Sequence, residues 1–170
     1  MCAHRKPTKE VEDLAQDDWT AAQEAIYARR FELVYRLCFL YLKNKSDAED
    51  AAAETFVRLL EHQPSFDSQE HEKAWLIVTA RNVCKNELRS KRRKHLALDD
   101  AVTTAAEPSE PDETLAVLLT LPERYQTALY LYYYEGYSTA ETAKLMHKNE
   151  STVRTDLARG RALLKAHLTE

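Results

Sequence analysis

Glycine is nearly missing from this sequence: two residues in a chain of 170, alongside five prolines. Tightly turned sheet architectures have little to be built from, while Ala, Leu, Glu, Lys and Arg are plentiful, so an all-α fold is expected. Cysteine is equally sparse. Cys2, Cys38 and Cys84 are odd in number, widely spaced and form no C-x-x-C pair, which indicates neither a disulfide framework nor a zinc site and makes a reducing cytoplasm the expected home. No run approaches the ~20 apolar residues of a membrane span, and the polar start, Met1 to Glu10, has no apolar stretch behind it, so neither secretion nor membrane insertion is expected. The histidines, His4, His62, His71, His95, His147 and His167, lack ligand spacing, and no Ser or Cys is paired with a His as a nucleophile would need. No active site, metal or cofactor is expected.

With 44% hydrophobic and 31% charged residues, the chain suits one ordinary globular domain or two small ones. The net charge of -4 taken alone argues against a nucleic-acid partner. The average conceals a sharp division. Arg81 to Lys94 carries seven bases against one acid, whereas Asp99 to Glu113 carries six acids and no base. Separate patches, rather than the sum, meet a partner.

Apolar residues Phe31, Val34, Tyr35, Cys38, Tyr41 and Leu42 share one face of a helix that ends near Leu42. Ser46-Asp47-Ala48-Glu49 has the pattern of a capping box and opens a second helix, with Ala48, Ala52, Thr55, Phe56 and Leu59 inward and an acidic outer face. After Pro64 comes a loop, Ser65 to Glu72. A third helix follows, with Leu76, Ala80, Val83 and Cys84 inward and Arg81, Lys85, Arg89 and Arg92 on an outer stripe. Trp75, at the start of the apolar stripe, is expected to pack in the core rather than serve as a stacking platform. Pro108, Pro111, the acids and small residues of the next segment have the composition of a flexible tether. The expected organisation is therefore an extension at residues 1–20, a helical domain at 21–97, a flexible acidic linker at 98–113 and a second helical domain at 114–170.

In that second domain Pro122 suits the first turn of a helix and Gly136 its end. Ser138-Thr139-Ala140-Glu141 is a further capping box, opening a helix to about Met146, and Asn149 can cap another whose inner stripe is Val153, Leu157, Gly160 and Leu164. Two helices joined by so short a turn make a helix-turn-helix. From Lys148 to Lys165 the second helix carries five bases to two acids.

From about residue 20 onward these motifs together resemble the sigma-seventy family in its extracytoplasmic-function (ECF) branch. Asp47-Ala48-Glu49-Asp50-Ala51-Ala52-Ala53-Glu54-Thr55-Phe56 is similar to the family's polymerase-binding segment, and Ala74-Trp75-Leu76-Ile77-Val78-Thr79-Ala80-Arg81-Asn82 to its promoter-melting segment. Leu121-Pro122-Glu123-Arg124-Tyr125, Tyr134-Glu135-Gly136-Tyr137-Ser138 and Thr152-Val153-Arg154 with Leu157, Arg159, Gly160 and Arg161 follow its promoter-reading domain. His147 and Lys148 stand where the family usually has Gly and an apolar residue, Thr142 replaces a customary Ile, and Asp156 falls where many relatives place a base.

The resemblance implies a dissociable subunit of bacterial RNA polymerase, not an enzyme, that directs core polymerase to specific promoters and promotes their melting. Its partners would be core RNA polymerase, promoter DNA as a duplex near minus thirty-five and single-stranded near minus ten, and an anti-sigma factor. The second helix of the helix-turn-helix would lie in the major groove, with Arg154, Thr155 and Arg159 near bases and Ser151, Thr152, Arg161 and Lys165 on phosphates. Near minus ten, Asn82 and Asn86 would meet exposed bases while Arg81, Lys85, Arg89, Arg92 and Arg93 track the backbone. By resemblance the loop from Ser65 to Glu72 accepts a flipped base, and Asp47, Glu49, Asp50, Glu54 and Phe56 dock on polymerase. Two other classes stay open from residues alone: a free-standing helix-turn-helix regulator, and a metal-dependent nuclease built on the acidic cluster.

Overall fold

The computed structural model describes residues 9–97 and 113–167; the linker expected at 98–113 lies outside them except for Glu113. Among the described residues there are seven α-helices and no strand. The first three are α1 (Lys9–Leu42), α2 (Lys45–His62) and α3 (Gln69–Ala97). They bury Val34, Leu37 and Cys38 of α1 against Ala48, Ala52, Phe56 and Leu59 of α2 and Leu76, Ile77, Ala80 and Cys84 of α3. The alanines of α2 let its backbone approach closely, since interaxial distance follows the size of the side chains at the contact. Trp75 is partly buried, its ring edge-on to Phe66 at 6.0 Å, as its place on the stripe suggests.

Several boundaries differ from the sequence expectation. Helix α1 starts at Lys9, inside the segment set apart as an extension. The cap of α2 is Asn44 rather than Ser46: Asn44 is extended and its Oδ1 accepts from the Asp47 N–H at 3.0 Å. Glu49 turns toward Lys45 instead, at 3.9 Å. Helix α3 takes in Gln69 to Glu72, which shortens the loop expected from Ser65 to Glu72. Glu72 is buried and bound by Arg29 and by Arg30, the latter at 2.8 Å, so the loop loses its last acid to the core.

The second unit comprises α4 (Glu113–Leu119), α5 (Glu123–Leu129), α6 (Thr139–Met146) and α7 (Glu150–His167). Pro122 precedes α5, and α5 runs on into a π-helical turn, Tyr130–Tyr134, that ends before Gly136 at φ 78°. Where α7 crosses α5, a Cβ on Gly160 would lie 2.7 Å from Leu129 Cδ1 and 3.2 Å from Tyr125 Cβ, so a larger residue here would have to displace the Leu129 side chain. The Ser138 box forms as its pattern indicates: Ser138 Oγ accepts from the Glu141 N–H at 3.2 Å, and Glu141 Oε2 accepts from the Ser138 N–H at 2.9 Å. His147 takes the left-handed conformation usual for glycine, φ 51°, and the Lys148 N–H closes the turn on the Ala143 carbonyl at 2.9 Å.

Candidate nucleic-acid interface

Helix α7 is divided cleanly. Val153, Asp156, Leu157 and Gly160 face the core, and Ser151, Thr152, Arg154, Thr155, Arg159, Arg161 and Lys165 are all exposed. Local contacts order part of this face: Arg154 Nη2 lies 2.5 Å from Glu150 Oε1, and Thr155 Oγ1 donates to the Ser151 carbonyl at 3.0 Å. Because α6 and α7 meet through Leu145, Met146, Val153 and Leu157, the exposed row stands clear of the rest of its own domain.

Asp156 does not face outward. Only 2% of it is exposed, and it accepts from Arg124 Nη2 at 3.0 Å and from Lys148 Nζ at 3.4 Å. An acid that would repel phosphate from the outer face here neutralises two bases beside it. Lys148, which supplies no apolar anchor to the turn, thus ties α6 to α7 by charge. Thr142 is fully buried in α6, and its hydroxyl finds no protein partner.

On α3, Asn82, Lys85, Asn86, Arg89, Arg92 and Arg93 are exposed. Arg81 departs from the expected outer stripe. It is 5% exposed, donates from Nη2 to Asn82 Oδ1 at 3.0 Å, and leaves Nε and Nη1 without a protein partner. Tyr41 of α1 lies close enough to feel the Arg81 charge, and it lines a hollow with Thr127 of α5. Lys85 of α3 lines a hollow with Arg124 and Lys148, so bases from both units converge there, and partial desolvation together with the charges of Arg81, Arg89 and Lys148 holds its ammonium below the ordinary pKa.

Asn86 lines a hollow of about 480 Å³ between α2 and α3 together with Asp47, Asp50, Glu54, Arg58 and Glu87. The structure thereby places one residue expected near DNA on the margin of the acidic face. Asp47 is bound by Lys91 of α3, a contact the sequence reading missed, and Glu54 Oε1 accepts from Arg58 at 3.0 Å. Phe56 does not reach this surface. It is 6% exposed and packs edge-on to Tyr27 with ring centroids 4.8 Å apart, so it supports α2 from within. Beside the acids stand two exposed apolar residues, Val57 at 42% and Leu60 at 50%. Such side chains next to charge are what a protein-docking surface offers. Among the described residues, no three His, Cys, Asp or Glu side chains are grouped to hold a metal ion, and no helix is long and apolar enough to cross a membrane.

Comparison with known proteins follows the same two units. Residues 26–94 match the family model for sigma-70 region 2, and residues 112–164 match that for sigma-70 region 4. The ECF RNA polymerase sigma factor SigM of Bacillus subtilis is 32% identical over 152 residues, an alignment covering 84% of this chain and 93% of SigM. The chain belongs to the sigma-70 family as an ECF sigma factor. It is a promoter-specific initiation factor for RNA polymerase and not an enzyme. SigX of the same organism is 28% identical over 160 residues, covering 85% of this sigma factor and 82% of SigX. The fold is shared with the sigma factor RpoE from Bartonella quintana, solved in complex with the anti-sigma factor NepR: the TM-score is 0.70 at 20% identity, over 86% of this chain and 96% of that one.

Proposed function

We propose that the sigma factor reads duplex DNA near minus thirty-five with α7 and single-stranded DNA near minus ten with α3, and docks on core polymerase through α2. Residues 21–97 and 114–170 are the two functional domains, and 98–113 tethers them. The observation that carries this reading is the exposed row on α7 opposite Val153, Leu157 and Gly160, in a helix-turn-helix whose second helix fits a major groove. Arg154, Thr155 and Arg159 reach bases; Ser151, Thr152, Arg161 and Lys165 hold phosphates and fix register.

Asn82 contacts an unpaired base, while Lys85, Arg89, Arg92 and Arg93 follow the strand. Arg81 joins them only once it is uncovered. Asp50, Glu54 and Glu49, with Val57 and Leu60 rather than Phe56, form the polymerase-docking surface, and Asp47 and Asn86 sit at its edge. We place the protein in the cytoplasm with its polymerase, and assign it a protein inhibitor of the anti-sigma class, by analogy with the complex of the Bartonella relative.

Promoter opening tests the division of labour. With core polymerase, Asn82→Ala is expected to slow opening of duplex promoters and to spare templates already unpaired at minus ten. Equal loss on both templates would remove Asn82 from melting.

A further inference from the structure

The two arginines assigned to bases on α7 stand in different surroundings. Arg154 donates from Nη2 to Glu150 Oε1 at 2.5 Å, one turn back on the same helix. The same oxygen accepts from Thr139 Oγ1, at the start of α6, at 3.0 Å. One carboxylate oxygen thus joins the first helix of the helix-turn-helix to the guanidinium carried by the second. The hydrogen bonds from Thr139 and from Arg154 hold the Glu150 carboxyl below the usual carboxylate range, so at neutral pH it is an acceptor only. Arg159 has no such anchor: it makes no ion pair or hydrogen bond among the described residues.

On charge alone Glu150 is misplaced. Of the two acids in α7, Asp156 is buried, which leaves Glu150, 39% of its side chain exposed, at the end of the helix whose first residues enter a major groove. An acid there repels phosphate and weakens binding to any duplex. Its effect on Arg154 works the other way. A long, free side chain loses rotamer freedom when it seats on a base, and one already held in a single orientation loses less. The guanidinium carries its N–H donors in a fixed plane, so giving one to Glu150 leaves enough for the pair that guanine takes at O6 and N7. An exposed pair one helical turn apart is weak by itself. The second bond, from Thr139, fixes the carboxylate against α6 and keeps the pair from swinging across the surface of α7.

We propose that Glu150, braced by Thr139, is a positioning residue that fixes the Arg154 guanidinium before DNA arrives and so sharpens selection at the one base pair Arg154 meets. Arg159 reads its own base pair without such help. The role depends on the proposed reading of a base by Arg154. Loss of Glu150 weakens selection at that pair while strengthening binding to duplex DNA in general, because a negative charge leaves the surface. An acid that only favoured the dipole at the start of α7 would have no effect confined to one base pair.

The test uses holoenzyme reconstituted from the full chain and core polymerase. The probes are a duplex it selects from a pool randomised across the minus-thirty-five element, the same duplex with each single base-pair change, and an unrelated duplex of equal length. Arg154→Ala is expected to cut discrimination at one base pair by about tenfold. Glu150→Ala should cut it at that same pair by about fivefold, leave the other pairs as in wild type, and bind the unrelated duplex more tightly. Added to Arg154→Ala, it should take nothing further from that pair. Thr139→Val should act in the same direction, and Thr139→Ser, which keeps the hydroxyl, should match wild type. Glu150→Gln, equal in shape but uncharged, should fall between wild type and Glu150→Ala and guards against misfolding of the alanine variant. Wild-type discrimination at that pair in both Glu150 variants, or an equal loss at every pair, would overturn the positioning role while Arg154→Ala keeps its single-pair effect. No single-pair effect in Arg154→Ala would instead overturn the base reading, and the positioning role with it.

Discussion

Asp156, in the middle of α7, accepts a hydrogen bond from Arg124 at the start of α5, 3.0 Å away. Lys148 approaches the same carboxylate at 3.4 Å, so three segments of the second domain converge on one buried acid. Hydrogen bonds to charged groups are worth about 1.5–3 kcal/mol each, and Asp156→Ala is expected to lower stability by an amount in that range, because both bases can partly rehydrate. Urea unfolding measures it. A loss under about 0.5 kcal/mol, the scale of an ordinary surface change, would mean the acid is not structural.

Arg154 and Arg159 stand on the exposed face of α7, Arg154 already tethered to Glu150. Replacing either with Ala should cost about 1–3 kcal/mol of promoter affinity if it contacts a guanine through two bonds, and should relax preference at one base pair only. Binding measured across a panel of single base-pair changes separates this from a phosphate role, which would weaken every sequence alike.

Glu72 makes the fold sensitive to acid. Burial works to raise its pKa, but Arg29 and Arg30 overcome that and hold the carboxyl below the usual range. A carboxylate with a lowered folded pKa stabilises above its unfolded value near 4.5 and loses that contribution as pH falls through the folded one. Melting temperature should therefore drop more steeply on acidification below about pH 4.5 in wild type than in Glu72→Gln. The variant should also be less stable at neutral pH. Parallel pH curves for the two proteins would contradict this.

Thr142 buries a hydroxyl that has no protein partner. Val is close to it in shape and carries no polar atom, so Thr142→Val should stabilise the chain by about 1 kcal/mol, the lower end of the cost of an unsatisfied buried group. Thermal unfolding checks the sign.

Much of this arrangement is legible in the residues themselves. The inner stripes of α2, α3 and α7 follow helical period, and the Ser138–Glu141 box announces α6 because its hydrogen bonds lie within four residues. The same reasoning failed at Ser46, where a pattern of equal quality lost to Asn44, two residues earlier. What escaped notice are pairs between distant elements. Nothing near Arg81 in sequence marks that its place on the helix will be covered, whereas Phe56 sits where the apolar stripe of α2 put it, and only the docking role implied by resemblance pointed it outward. Glu72 looks like a loop acid until Arg29 and Arg30, more than forty positions earlier, are brought beside it. Asp156 is similarly ambiguous until Arg124 and Lys148 reach it. Charge pairing over such separations carries no period.

Transcription reconstituted from purified core polymerase tests the account most directly. With this chain added, core enzyme should start transcripts at defined sites, and Asp50→Lys, exposed on α2, should abolish both initiation and co-purification with core while leaving the helical content intact. Absence of defined starts across a broad promoter library, or full activity in Asp50→Lys, would contradict it.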